Sequence, residues 1–126
     1  MLGFLKMNLS HYNRFCKALP QSTHVVQWGG ASVWKVGGKV FAIGWFDKSA
    51  DHGITFKCSA LSFEMLRTVE GCRPAPYLAS RGMKWIQRTS DAVLSDAELK
   101  TYLRASHRLV IETLSKKRRR ELGLEP

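Results

Sequence analysis

The sequence predicts an α+β fold: short β-strands gathered into an antiparallel sheet, with amphipathic helices towards both ends of the chain. Three observations carry this expectation. Residues 28–46 read as two strands joined by the turn Gly37-Gly38, because a Gly-Gly pair supplies the positive φ angles of a type I′ hairpin. Residues 53–58 alternate Ile54, Phe56 and Cys58 with Thr55 and Lys57, the period-two pattern of a half-buried strand. Ser95-Asp-Ala-Glu98 has capping-box spacing and opens a long apolar stripe at helical spacing. At 126 residues the chain suits one domain, 1–126, burying about two-thirds of its unfolded surface. Residues 1–7 read as a frayed extension, with Met7 an alternative first residue.

Taken in order, Leu9, Tyr12, Phe15, Cys16 and Leu19 form one stripe of a helix over residues 8–19. Asn8 or Ser10 can cap it, and Pro20 follows its end. Residues 23–28 are β-branched and short, a first strand stopping at Gly29-Gly30. In the hairpin, strict alternation from the turn sets Val36 opposite Lys39, Trp34 opposite Phe41 and Ser32 opposite Ile43. One face then carries Trp34, Val36, Phe41, Ile43 and Trp45 and is read as core. The other carries Ala31, Val33, Lys35, Val40, Ala42 and Gly44, thin enough to meet solvent or a partner. A second helix spans residues 62–70, with Ser62 as cap and Gly71 as a left-handed stop. Pro74 and Pro76 exclude regular structure over the first half of residues 72–82. Residues 83–88 have strand character, with Lys84, Ile86 and Arg88 on one side. The final helical stretch runs as one long helix or as two broken near Ala105-Ser106, and ends in the five cations Lys116–Arg120.

Composition narrows the function classes. A hydrophobic fraction of 44% and a charged fraction of 24% fit an ordinary soluble protein. No apolar run approaches the ~20 residues that a membrane helix needs. Three widely spaced cysteines, Cys16, Cys58 and Cys72, argue against a disulfide framework and for a reducing, cytoplasmic setting. A formal net charge of +10, from 20 Lys and Arg against 10 Asp and Glu, favours encounter with nucleic acid or other anions.

Catalytic and metal chemistry find little purchase. His11, His24, His52 and His107 stand singly, at no metal-ligand spacing. The loop Asp47–His52 holds oxygen and nitrogen donors but lacks the glycine and terminal glutamate of a calcium loop. Gly38-Lys39 is followed by Val40 where a phosphate loop needs Ser or Thr, so these glycines belong to a turn. There is no Gly-x-Ser-x-Gly elbow. The expectation is a non-enzymatic protein without metal or cofactor. Basic residues remain: Lys35, Lys39 and Lys57 on the thin face and hairpin tip, with Lys84 and Arg88 adjoining, are the candidate nucleic-acid contacts. The four tryptophans at strand spacing are read mainly as core, and the C-terminal cations as complements to a helix dipole.

Residues 33–42 (Val-Trp-Lys-Val-Gly-Gly-Lys-Val-Phe-Ala), 55–58 (Thr-Phe-Lys-Cys), Pro74-Ala-Pro-Tyr-Leu78, Trp85-Ile86 and the closing Ser106…Leu109-Val110 helix resemble, in this order, the MmcQ/YjbR family. The resemblance runs from about residue 8 to 124. It implies a CyaY-like layout, a twisted antiparallel sheet with helices packed on one face. It also implies DNA binding, by analogy to a double-wing arrangement in which β-hairpins approach the duplex. The sequence departs from the family pattern at Ser115, where relatives often have proline. The leading expectation is a small basic DNA-binding protein that holds the phosphate backbone through its hairpin face. The alternative is a protein-interaction or small-ligand module using the same face, where Ala31, Val33, Val40 and Ala42 would suit a partner.

Overall fold

The computed structural model describes residues 7–46 and 52–124. The loop 47–51, weighed above as a metal site, and residues 1–6 of the expected extension lie outside the described residues. Within them the chain runs α1 (Leu9–Lys17), β1 (Ser22–Gln27), β2 (Ala31–Val36), β3 (Lys39–Trp45), β4 (Gly53–Lys57), α2 (Ala60–Leu66), β5 (Cys72–Pro74), β6 (Trp85–Arg88), α3 (Asp96–Glu112) and α4 (Lys116–Glu121). The six strands form one antiparallel sheet in the order β1-β2-β3-β4-β6-β5. From β4 the chain passes through α2 to the sheet edge, and β6 returns between β4 and β5.

Local chemistry accounts for most boundaries. Asn8 caps α1, its side-chain oxygen accepting from His11 N–H at 2.9 Å. Ser95 and Glu98 close a capping box at 3.1 and 3.0 Å, as the spacing predicts. Helix α2 starts earlier than expected because Ser59, rather than Ser62, accepts from the backbone at its N-terminus. Helix α3 is continuous through Ser106 and ends at Thr113. The basic run is a separate short helix, capped by Ser115 accepting from Arg118 N–H at 3.0 Å. Residues 72–74, expected to be irregular, form the edge strand β5. An edge tolerates Pro74 because its missing N–H faces no neighbouring strand. Met7 is held in place, its backbone N–H donating to Asp96 at 2.7 Å.

Helices α1 and α3 pack across β1–β4, and α2 packs against β5 and β6. Between helices and sheet lies the main core, centred on the fully buried Tyr12, Phe41, Phe56, Ile86, Leu99 and Leu103. Each such side chain contributes about 1.5–3 kcal/mol relative to leaving it in water.

The hairpin departs from simple alternation. The turn is as expected, with Gly37 and Gly38 at φ 60° and 82° and Val36 opposite Lys39. Beyond Lys35 opposite Val40 the register shifts by one residue, so that Trp34 pairs with Ala42 and Ser32 with Gly44. Phe41 is the extra residue of a β-bulge, and both Phe41 and Ala42 join the helix-side core. A one-residue shift sends every later side chain to the opposite face. Ile43 and Trp45, expected in the main core, therefore lie on the open face with Ala31, Val33, Val40 and Leu78. Ala42 and Gly44, expected on the thin face, lie under the helices. A Cβ on Gly44 would come within 2.7 Å of the Tyr12 ring.

The bulge leaves the Phe41 carbonyl and the Lys57 N–H just past the last paired residues of β3 and β4. Ser106 on α3 satisfies both, donating its hydroxyl to Phe41 O at 2.7 Å and accepting from Lys57 N at 2.9 Å. A buried helical serine thus stitches two strands together where their own ladder fails.

Candidate nucleic-acid interface

Because the helices occupy one side only, the other side of the sheet is open, apart from the loop between β5 and β6, whose Leu78 settles on Ala31, Val33 and Ile43. This leaves two adjoining cavities that share Trp28, Ile43 and Leu78. The first, about 430 Å³, is lined by Trp28, Ile43, Trp45, Thr55, Ala75, Pro76, Tyr77, Leu78 and Gln87. The second, about 440 Å³, extends towards the hairpin tip past Lys39, Val40, Lys57, Met83, Trp85, Val110 and Thr113. Among the described residues no carboxylate lines either cavity.

Strand periodicity places the lysines. Lys35 faces Val40 on the open side, and Lys57 pairs with Trp85 there. Lys39 is exposed at the tip, its ammonium donating to the Thr113 hydroxyl at 3.2 Å. Leu114 packs against the turn at Gly37. Lys39 and Lys57 line one cavity, and Lys35 lies on the same side of the sheet.

Lys84 and Arg88 do not belong to that group. They share the helix side with Ile86, as the alternation predicts, and this separates them from Lys57. Lys84 lies over the Phe63 ring at 5.0 Å. Arg88 is only 7% exposed and is held by Asp96 at 2.8 Å and the Leu94 carbonyl at 2.9 Å. Its guanidinium joins β6 to the start of α3 and is removed from the surface set.

Sequence reasoning read Trp28 mainly as core, with base stacking as the lesser reading, and passed over Tyr77. Trp28 does not end β1 but sits in the turn before Gly29-Gly30, 55% exposed, and Tyr77 is 81% exposed. The available signal was an aromatic residue placed inside turn sequence, Trp-Gly-Gly and Pro-Tyr, where strand packing does not apply. Trp34 and Trp85 are buried as expected. The Trp85 indole N–H, on a residue of the second cavity's wall, has no hydrogen-bond partner among the described residues.

Cys16, Cys58 and His107 are buried. Burial pushes the Cys16 thiol up to about 12 and the Cys58 thiol up to about 11, so neither is a thiolate at neutral pH. Cys72 is also raised by burial, with Arg88 opposing. His107 is buried against Phe41 and bonded to the Pro20 carbonyl at 2.8 Å. Among the described residues no three His, Cys, Asp or Glu side chains gather into a metal-binding group. No described helix is long and apolar enough to cross a membrane.

Fold and site together define an α+β domain with a one-sided helical layer and a basic, aromatic open sheet face. A family model described as YjbR matches residues 17–109, and the chain belongs to that family. Its fold is similar to that of Deinococcus radiodurans protein DR2400, whose crystal structure carries the family-model domain DUF419. The TM-score is 0.79 at 24% identity, covering 93% of this chain and 88% of that one. No curated protein matches.

Proposed function

We propose that this protein binds nucleic acid, holding the phosphate backbone along the open sheet face and the hairpin tip. The observation that carries the reading is a cavity edged by Lys39 and Lys57 in which, among the described residues, no carboxylate answers their charge. Lys35 lies on the same side of the sheet, opposite Val40. In a chain of net charge +10, such a surface gains affinity by releasing counterions from phosphates. Fluorescence anisotropy with labelled DNA and RNA over a salt series tests this. Log affinity is expected to fall linearly with log salt, and replacing Lys35, Lys39 and Lys57 together by Glu should flatten the slope by about two or more. Failure to bind at ~50 mM salt, or indifference to salt, would overturn the reading.

A second reading, a protein or small-ligand site, is favoured by exposed Trp28, Tyr77 and Met83 on the same face. It no longer draws on Ala31 and Val33, which are fully buried, or on Ala42, which faces the helices. Complex formation that survives nuclease and ~1 M salt, where the Debye length is about 3 Å, would favour it.

A further inference from the structure

Two large aromatic residues on the open face adopt backbone conformations that L-residues avoid. Trp28 has φ 54° and Tyr77 φ 67°. For bulky side chains this left-handed region is a strained outlier, of the kind that gathers at binding sites. Burial does not explain the strain, since both side chains are largely in solvent. What the two share is a cavity: both line the 430 Å³ hollow, with Trp45 as a third aromatic wall. Thr55 and Gln87 add a hydroxyl and an amide to the lining, and Gln87 Oε1 accepts from Arg73 Nε at 2.7 Å, which fixes the amide's orientation.

We infer that this hollow accepts an unstacked base of a single-stranded nucleic acid. The inference rests on the nucleic-acid reading above and names the form of the ligand. Aromatic walls offer π faces to a planar ring, and the Thr55 hydroxyl lies in the same lining. The adjoining cavity, with Lys39 and Lys57 and no carboxylate among the described residues, receives the neighbouring phosphates. Bases in an intact duplex are stacked on both faces and cannot enter such a hollow. The same surface therefore discriminates against double-stranded DNA, contrary to the hairpin-on-duplex arrangement implied by the family resemblance.

The test compares three probes at moderate salt: a short oligothymidylate, the same strand with abasic residues throughout, and a duplex of equal length. Anisotropy reports affinity and tryptophan fluorescence reports stacking. The oligothymidylate is expected to bind about tenfold or more tightly than the abasic strand and to quench tryptophan emission, the scale of one base–aromatic stack. Trp28→Ala and Tyr77→Ala should each remove most of that preference. Equal affinity for abasic and natural strands, or tighter binding of the duplex, would overturn the inference and leave the nucleic-acid reading standing. No binding of any probe at low salt would remove both. The comparison of probes on the unmodified protein decides the matter even if a variant fails to fold.

Discussion

The two faces of the sheet are made by the same strands and differ in what becomes of their polar groups. Beneath the helices polar side chains join one element to another. Ser106 bridges β3 and β4, and Arg88 ties β6 to α3. Asn13 Oδ1 accepts from the Ser32 hydroxyl at 2.6 Å and the Trp34 indole at 2.9 Å. The Ser32 proton is thereby committed, so His24 Nε2, 2.8 Å from the same oxygen, is the donor in that contact. On the open face, lysines line a cavity that holds no carboxylate among the described residues, and exposed aromatics sit in strained turns. Each side retains one buried N–H group without a partner among the described residues, Arg88 Nε under the helices and Trp85 Nε1 on the other side, so what separates the faces is the exposed lysines and aromatics.

Substitutions can break this contrast, beginning with the largest effect. Ser106→Ala strands two buried backbone groups and should destabilise the fold by about 3 kcal/mol; chemical denaturation would measure it, and a change under ~0.5 kcal/mol would contradict the bridge. Arg88→Met leaves Asp96 without its partner. Because Asp96 is partly exposed, the loss should be about 2 kcal/mol, below that of a fully buried pair. Gly44→Ala forces a methyl against Tyr12 and Phe46 and should cost about 1–3 kcal/mol, read as a lowered thermal midpoint.

His107 provides a smaller, pH-dependent effect. Burial lowers its pKa below the ordinary 6.5, with the Pro20 hydrogen bond opposing. The folded protein therefore binds this proton less readily than the unfolded chain. The stabilising contribution is present above pH 6.5 and is lost as the pH falls through and below that value. His107→Gln should flatten the stability profile across that window. The smallest effect belongs to the open face: Tyr77→Gly relieves a positive φ and should shift stability by no more than ~1 kcal/mol. Marked destabilisation would mean that Tyr77 holds up the fold rather than the site.

Much of this was legible in the sequence. The Gly37-Gly38 turn, the Ser95–Glu98 box, the Asn8 cap and the placement of Lys35 and Lys57 on one face follow from local rules acting over a few residues. The bulge was not legible. Val40, Phe41, Ala42 and Ile43 are all apolar, so alternation cannot reveal where one residue is inserted. The fate of Arg88 was hidden too, because its partner Asp96 lies in another element and period-two counting assigns a face but not its cover.

The sequence by itself determined the elements, the net charge of +10 and the family pattern, since these depend on neighbouring residues or on simple sums. Only the tertiary structure decided that Ile43 and Trp45 line a cavity, that Gly44 makes room for Tyr12, and that Trp28 and Tyr77 line that same cavity. Those outcomes depend on where α3 presses Ser106 between two strands, a contact between residues 65 apart in the chain.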